Sequence, residues 1–471
     1  MKQGVRRAVL SAVSALALLA TMGAAEAQVT ILEVGPSATY NNIQDAIDAA
    51  VVGNDTEIRV QSGTYTENLL VSSAFNAGSL TLLGGWDSTF TQRDSNPNNT
   101  IIDGNASGQV LGLAVTGGSF LIDGFTITNG FFAPGGGVYV VGSGDGKVTL
   151  RNLRIVGNSA TAPGFAYGGG LKADLIGNQV LEVIDCAFKD NEAVSTGGSS
   201  AVGGGMNISC LGNARFLIQD CEIEQNSIDS NGGSRWGGGF FLFAGENVQG
   251  EILDSYPSDN EALGSGADLR GAGALLSTSG SASVNLERTG WALNHVTAGG
   301  SASQLQIFTN DTSTIRISDS GFAKGDEDGI DAQCSGSSTL QLVNLSVADN
   351  SGIGLDLRQS TNSTVSLYNT ISFGNGTDLS TSGTIDSGSN LIGVDPLFVD
   401  PARLDYHLRI GSPAENAGDN SPTGGLGLFD FDGRPRIQDG IVDIGFMEGI
   451  AEVFSDGFES GDTTAWSSAV P

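Results

Sequence analysis

Aromatic and basic residues recur beside a series of glycine-led segments, and this combination suits the binding of sugars. The segments open with Gly-Gly-Gly or Gly-Ala-Gly at positions 135, 168, 203, 237 and 271. Aromatic rings offer flat apolar faces on which a sugar can stack, while Lys and Arg add hydrogen-bond donors. We predict a carbohydrate-binding lip here, and the alternative is that the aromatic rings fold back to shield the edge. The predicted residues are Tyr139, Tyr167, Lys172, Arg235, Trp236, Phe241 and Arg270.

Catalysis at the same segments has weaker support from the residue types. Lys172 and Asp174 are the nearest acid–base pair, and the carboxylate is expected to raise the pKa of the lysine. A general base works best with a pKa near the working pH, so this pairing favours binding over chemistry. Ser, Cys and His residues form no recognisable hydrolytic arrangement, and no catalytic residue is assigned.

Metal ligands are sparse in the sequence. The stretch KGDEDGID at 324–331 contains Asp326, Glu327, Asp328 and Asp331, and clustered carboxylates are ligands that suit calcium. Their spacing matches no known calcium loop, so we favour a solvated acidic turn. Two histidines and no Cys-x-x-Cys pair argue against zinc, and no cofactor is predicted.

An Asp or Asn followed six residues later by Asn defines an internal repeat, as in DCAFKDN at 185–191 and DCEIEQN at 220–226. The copies begin with Asp123 and Asn129 and recur every 25–35 residues. Apolar residues fall two and four positions before the first member and one and three positions after it. The apolar positions on either side of the first member are three residues apart, whereas residues on one face of a strand are two apart. The first member must therefore bend the chain so that both strands point inward, and Asn and Asp tolerate the left-handed conformation that such a bend needs. The second members are predicted to stack as a structural amide ladder: Asn129, Asn158, Asn191, Asn226, Asn260, Asn294, Asn350 and Asn375.

Each repeat thus contains two short strands around the bend and, in five copies, a glycine-led third strand. Repeats of three strands that bury one face against their neighbours predict an all-β, single-stranded right-handed parallel β-helix over residues 28–394. A short amphipathic helix at about 41–52, with Asn41 as its N-cap, is predicted to cover the first coil. Cys186 and Cys221 occupy the same inward slot one coil apart, as either a thiol stack or a disulfide.

Both ends of the chain carry their own patterns. Residues 1–27 combine a basic start, an apolar run and Ala25-Glu26-Ala27, which predicts a secretory signal peptide and hence export. No later apolar run is long enough to span a membrane. Residues 451–471 are predicted to be a tail that is either a sorting signal or a plain unstructured end. In the segment before it, Asp430 and Asp432 are expected to pair with Arg434 or Arg436 and close the last coil.

The charge balance limits the partners of the chain. The formal net charge is −31, and it becomes −33 without residues 1–27, which hold three bases and one acid. Such a surface repels nucleic acid and anionic lipid, so neither is an expected partner. A local basic patch around Lys172 would still allow an acidic glycan to bind.

Several stretches resemble known families. YNNIQDAIDAA, LTLLGGW and FLIDGFTITNG look like the first coils of pectin-lyase-like right-handed β-helix proteins. The glycine triplets paired with an apolar-x-x-Asn pattern are similar to the repeats of polymorphic outer-membrane proteins. DPLFVDPARLDYHLRIGSPAENAGD resembles the closing segment of choice-of-anchor Q proteins, which implies such a segment at 395–450 and a location on the bacterial surface or outside the cell. The Gly-His-Gly of pectin hydrolases is missing from this chain.

Together these patterns predict an exported, adhesin-like or glycan-binding scaffold of the cell surface, the outer membrane or the extracellular space, without catalytic activity. A polysaccharide lyase or glycoside hydrolase that acts in a groove along the glycine-led strands is one alternative. A purely structural envelope protein is the other.

Overall fold

The computed structural model describes residues 29–50, 53–71, 78–263, 268–297, 302–438 and 440–449. The predicted signal peptide at 1–27 and the predicted tail at 451–471 lie outside the described residues. None of the helices in the described ranges has the length and apolar character required to cross a membrane.

One coil shows how the repeat folds. The chain runs through Val180–Ile184, bends at Asp185, continues through Ala187–Lys189, and returns through Glu192–Ser195 and Met206–Gly212. Each of these strands pairs in parallel with the strand about 35 residues later, such as Val180 with Arg215. The predicted right-handed parallel β-helix is therefore confirmed.

The sheet that contains the bends, called the bend sheet here, has 21 strands among the described residues. Its inward side chains form one continuous apolar core with those of the opposite sheet. The strands are Thr30–Val34, Thr56–Gln61, Gly63–Thr66, Ser79–Trp86, Thr100–Asp103, Ser119–Thr128, Lys147–Val156, Val180–Ile184, Ala187–Lys189, Arg215–Gln219, Glu222–Glu224, Gln249–Leu253, Tyr256–Ser258, Ser283–Glu287, Gly290–Ala292, Thr314–Ala323, Thr339–Ala348, Thr364–Tyr368, Ile371–Phe373, Asp386–Gly388 and Leu391–Ile392.

The glycine-led strands form a second sheet of 11 strands in the described ranges, called the groove sheet here. It consists of Leu69–Val71, Leu111–Val115, Val138–Gly144, Leu171–Gly177, Met206–Gly212, Phe240–Ala244, Ala274–Thr278, Ser303–Thr309, Asp328–Cys334, Ile353–Gln359 and Thr377–Ser382.

Two narrow sheets connect these faces, and an antiparallel hairpin follows the coils. The first narrow sheet contains Ser159–Ala162, Glu192–Ser195, Ser227–Ser230, Glu261–Leu263 and His295–Val296. The second contains Ala166–Tyr167, Ala201–Val202, Arg235–Trp236 and Leu269–Arg270, and the hairpin contains Phe398–Asp400 and Asp405–Leu408.

The predicted one-residue bends are present. From the second copy onward the first members of the pairs adopt φ values between 48° and 55°, which is the left-handed region. The first copy is different, because Asp123 pairs with Arg151 and it is Gly124, with φ of 82°, that occupies the bend. The first pair was therefore placed one residue too early. The bend residues of the later copies are Asn152, Asp185, Asp220, Asp254, Arg288, Asp319, Asn344 and Asn369.

The asparagine side chains form a buried hydrogen-bonded row, called the asparagine row here. The Nδ2 of Asn191 donates to the Oδ1 of Asn226 at 3.0 Å, and Asn226 donates to Asn260 at 3.0 Å. Where a coil lacks the asparagine, Gln304 fills the gap by accepting from Asn294 at 2.8 Å and donating to Asn350 at 2.9 Å. The row runs through Asn158, Asn191, Asn226, Asn260, Asn294, Gln304, Asn350 and Asn375.

Asn129 does not belong to this row, and its predicted place in the ladder was wrong. Its side chain donates to Asp103 at 3.0 Å in an exposed position, while the neighbouring Gly130 donates its backbone N–H to Asn158. The register error at Asp123 is the cause, because it shifts every later position of that copy by one residue.

The N-terminal helix spans Ile43–Ala49 and buries Ile43, Ala46 and Ile47 against the first coils. The N-cap position belongs to Asn42 rather than Asn41, and its side chain makes no capping bond. Glu67 takes that role, since its two carboxylate oxygens accept the backbone N–H groups of Ile43 and Gln44 at 2.8 and 3.0 Å. A residue from the next coil therefore satisfies the free donors at the helix start.

The four cysteines of the chain are free thiols in buried positions. Cys186 and Cys221 hold the inward slots that the repeat predicts, with 2% and 0% of their surface exposed. Burial raises the pKa of the Cys186 thiol well above its usual value, and contact with Cys221 adds to that rise. Of the two arrangements left open by the sequence, the structure shows the thiol stack.

The segment from 395 to 449, called the closing segment here, lies against the outward face of the bend sheet. Phe431 packs edge-on against Tyr256, and Phe446 lies so close to Gly321 that an added methyl group there would be 2.7 Å from the ring. Arg436 does not pair with Asp430 or Asp432. It reaches the buried Asp319 at 3.2 Å and Glu448 at 3.1 Å, which ties this segment to a bend residue.

Candidate functional site: an aromatic groove on the outward face

The outward side chains of the groove sheet are aligned along the β-helix axis. Strand pairing places Tyr139, Lys172, Asn207, Phe241 and Leu275 opposite one another in five successive coils. Parallel neighbouring strands lie about 4.8 Å apart, so the row presents a different side chain about every 4.8 Å along the axis. Lys172 and Asn207 of this row form the floor of an open groove of about 570 Å³, and Phe241 lines one side of it.

Lys172 is the most constrained residue of the groove floor. Its side chain is 7% exposed, and its Nζ contacts Asp174 Oδ1 at 2.7 Å, Asn207 Oδ1 at 2.9 Å and Ser209 Oγ at 3.3 Å. Burial lowers the pKa of this lysine, although Asp174 acts in the opposite direction. The sequence-based expectation of a raised lysine pKa was therefore wrong, because it counted the carboxylate and omitted the loss of solvent.

Two stacked aromatic pairs form the walls of the groove. Phe165 and Tyr167 stack with ring centroids 5.7 Å apart and planes 6° apart. Trp236 and Phe241 stack at 6.2 Å and 21°, and the indole Nε1 donates to Asp268 Oδ2 at 3.2 Å. The side-chain bond and the stacking fix the rings, so their orientations exist before any ligand arrives.

Because Tyr167, Trp236 and Arg270 each directly precede a glycine-led segment, the sequence predicts that they occupy the same slot one coil apart, and the structure differs in the spacing of the two aromatic residues. Tyr167 pairs with Val202, and Val202 pairs with Trp236. The two aromatic residues are therefore two coils apart rather than one, which corresponds to about 10 Å along the axis. Val202, Asn207 and Ser209 line the groove between them.

Arg235 does not reach the groove, which corrects its assignment to the lip. Its strand position matches Ala201 and Leu269 on the neighbouring coils, and its side chain is 1% exposed. The guanidinium donates to the backbone carbonyl of Ser230 inside the turn, and its Nε and Nη1 have no hydrogen-bond partner. Strands of two residues alternate between inside and outside, so one of Arg235 and Trp236 had to point inward.

The remaining predicted residues lie at the margins. Arg270 follows Trp236 in the same slot on the next coil, but it stacks over Phe308 at 4.9 Å and bonds to Asp268 at 2.5 Å. Tyr139 contacts Asp174 Oδ2 at 3.5 Å beside the groove, and burial together with that carboxylate raises its pKa.

Phe165 and Phe243 line the groove but were not among the predicted residues. The signal for Phe165 was present, because it lies two positions before Tyr167 and alternate residues of an extended chain share a side. It is 58% exposed, which makes it the most accessible ring of the groove.

The acidic residues at 324–331 do not converge on a metal site. Asp331 pairs with Arg358, and Asp328 accepts the backbone N–H of Ile353 at 2.6 Å. Across the described ranges, no group of three or more His, Cys, Asp and Glu residues is arranged to hold an ion.

His407 forms a polar cluster with two aspartates outside the groove. Its Nδ1 lies 2.6 Å from Asp405 Oδ1, and its Nε2 lies 2.7 Å from Asp432 Oδ2. Hydrogen bonding to Asp432 and then to Asp405 raises the pKa of His407 against the opposing effect of burial. Asp432 also lies 3.6 Å from Arg434, so one of the two expected aspartates does pair with that arginine.

Comparisons with known proteins give no family assignment. No protein-family model matches the sequence, and no curated protein matches it. Pectate lyase Pel9A is similar in structure, with a TM-score of 0.49 and 15% identity over 89% of this chain and 96% of that chain. Pectin methylesterase from carrot gives 0.31 and 11% over 74% and 88%. Pectin methylesterase from Aspergillus niger gives 0.30 and 16% over 59% and 83%. At these values the similarity carries no information about activity.

Proposed function

We propose that this chain is an exported β-helix scaffold that binds a polysaccharide in the aromatic groove and leaves it chemically unchanged. The observation that supports the proposal is the pairing of two fixed aromatic walls, Phe165 with Tyr167 and Trp236 with Phe241, over a polar floor. Ligand sites commonly combine apolar walls with a few placed polar groups, and this groove has that composition.

The polar floor offers groups for sugar hydroxyls. Asp174 is 35% exposed, and its Oδ2 accepts only a long contact of 3.5 Å from Tyr139. The hydroxyl of Ser209 lies beside it in the groove lining. Because strands carry these groups, their spacing is fixed by the sheet rather than by a loop.

Polysaccharide cleavage is the second candidate, and the lowered pKa of Lys172 favours it. A lyase needs a base that removes a proton from the sugar, and burial moves this lysine toward the neutral form. The contacts of Nζ argue against that role, since an ammonium bonded to Asp174, Asn207 and Ser209 has no lone pair to offer. Binding without cleavage therefore fits the groove better.

Export and surface location are part of the same proposal. They are supported by the signal-peptide pattern at 1–27 and by the resemblance of the closing segment to choice-of-anchor Q proteins. Fractionation of cells that produce the full chain, with an antibody as probe, tests this part. Recovery of the uncleaved chain in the cytoplasm would overturn it.

The binding test uses the full exported chain and immobilised polysaccharides of both neutral and acidic type. We expect retention of the wild-type protein and a roughly tenfold weaker affinity for Trp236→Ala, the size of effect common for a buried aromatic contact. Trp86→Ala is the matched control, because Trp86 is a partly exposed tryptophan that stacks with Arg59 away from the groove. Equal loss in both variants would contradict the groove assignment.

The same incubations separate the alternatives. Unsaturated products that disappear in Lys172→Met would establish a lyase instead. If no polysaccharide yields products and none retains the protein, the purely structural role is supported instead.

A further inference from the structure

The charges of the groove floor cancel one another. A lysine ammonium has three N–H donors, and those of Lys172 are directed at Asp174, Asn207 and Ser209, within 3.3 Å in each case. Lys172 is the only basic residue among the groove-lining residues in the described part of the chain, and Asp174 is the only acidic one. A sugar carboxylate that entered the groove would find no free cationic donor and would face the carboxylate of Asp174.

The surroundings of the groove add to this effect. Arg270, the nearest candidate cation on the next coil, is already bonded to Asp268, and the formal net charge of the chain is −31. A strongly negative surface lowers the local concentration of polyanions and slows their association. The basic patch that the sequence suggested around Lys172 is therefore neutralised in the fold.

The aromatic walls indicate the length of the ligand. The two pairs are two coils apart, about 10 Å, which exceeds the size of one pyranose ring. A monosaccharide can contact one pair only, whereas a chain of several sugars along the axis can stack on Phe165 and on Trp236 together. Each contact that forms without a further loss of translational freedom strengthens binding.

We infer that the groove selects an uncharged oligosaccharide long enough to span two coils and discriminates against polyuronates. This inference rests on the proposed polysaccharide-binding function and narrows it to a ligand class. The recognition chemistry is ring stacking on the two walls, with hydrogen bonds from sugar hydroxyls to Asp174 Oδ2, which holds only the long 3.5 Å contact from Tyr139.

The experiment measures affinity of the full chain by calorimetry. The probes are oligosaccharides of increasing length from β-glucan, mannan and xylan, beside oligogalacturonate and polyguluronate, at low and at physiological salt. We expect affinity to rise at least tenfold from monosaccharide to oligosaccharide in a neutral series, and uronate binding to be at least tenfold weaker. Phe165→Ala should remove most of the gain with length, while Phe429→Ala, which changes another exposed phenylalanine (47% against 58%) in the closing segment, should leave it unchanged.

A change of charge gives the second measurement. Asp174→Asn removes the only carboxylate of the floor and leaves Lys172 uncompensated, so uronate affinity should rise and become salt-dependent. Stronger binding of uronates than of neutral sugars to the wild type, lost in Phe165→Ala, would overturn the inference and retain the proposed function. Binding of no polysaccharide at all would overturn both.

Discussion

The asparagine row and the outward row of the groove sheet both place one side chain per coil along the β-helix axis. Inside, the same residue recurs, and each amide donates to the amide of the next coil at 2.9–3.0 Å. Outside, the residue type changes at every step. The outward row reads Tyr139, Lys172, Asn207, Phe241 and Leu275.

The difference shows where the solenoid restrains its sequence. A buried amide must find partners above and below, so a coil without the asparagine supplies another group, as Gly130 does with its backbone N–H and Gln304 with its side-chain amide. The outward row has no such chain of identical contacts, although Lys172, Asn207 and Leu275 are largely covered by their neighbours, so its residue types can vary from coil to coil. The architecture is thus specified by what repeats, and the candidate function lies in what does not.

The largest expected effect comes from breaking the buried row. Asn226→Ala removes the oxygen that accepts the backbone N–H and the Nδ2 of Asn191. It also removes the Nδ2 that donates to the Phe188 carbonyl and to Asn260 Oδ1. We expect a loss of about 1–3 kcal/mol in the free energy of unfolding, measured by denaturant titration, since several buried polar groups each lose a hydrogen-bond partner.

The chain offers a matched control for this change. Asn213 also donates to an asparagine one coil away, Asn178, at 3.1 Å, and accepts from Asn247, but this second row is exposed. Asn213→Ala should change stability by no more than about 0.5 kcal/mol, as is usual for surface sites. Equal losses in the two variants would show that burial does not distinguish the rows.

The repeat made most of the architecture predictable, because its signals are local. Alternating apolar residues and a bend-tolerant Asp or Asn lie within seven positions of one another, as at Asp185 and Asn191. The first copy misled the reading, since Asp123 and Asn129 are also six residues apart although Gly124 makes the bend. Gln304 was not predictable either, because it reaches the row from a different strand of the coil.

The groove was predictable only in part. The slots of Tyr167 and Trp236 follow from the glycine triplets, but the inward direction of Arg235 depends on which residue of a two-residue strand faces the core. The pKa of Lys172 depends on neighbours from other coils, which remove it from solvent and occupy its donors. Such properties arise from contacts between residues about 35 positions apart. The sequence of a single coil therefore does not reveal them.

A smaller effect is expected where a buried residue is not part of a repeated contact. Arg235→Leu places a residue like that of Leu269 in the same slot, and the Ser230 carbonyl keeps its bond from Gly232 at 2.9 Å. Replacing a poorly paired buried charge with an apolar side chain is often neutral or stabilising. We expect stability within about 1 kcal/mol of the wild type, or above it, and unchanged glycan affinity. A threefold fall in glycan affinity with an unchanged melting temperature would show that Arg235 contributes to glycan binding and would contradict its exclusion from the groove.

The smallest expected effect is a change in the pH dependence of stability, which distinguishes the charged contacts of the closing segment from the uncharged asparagine row. The amide side chains of the asparagine row do not titrate, whereas the imidazole of His407 does, and it bridges Asp405 and Asp432. Because the pKa of His407 is raised in the folded state, its contribution is complete below the unfolded value of about 6.5 and is lost as pH rises through the folded value. His407→Gln should therefore flatten the decline of stability above pH 6.5, by no more than about 1 kcal/mol for a partly exposed group.

His295→Gln is the control, since the other histidine of the chain lies 3.7 Å or more from Glu261 and Asp259. Thermal melts are measured from pH 5.5 to 8.5. If the melting temperature falls with pH equally in the wild type and in His407→Gln, the contacts of His407 do not contribute to the pH dependence of stability.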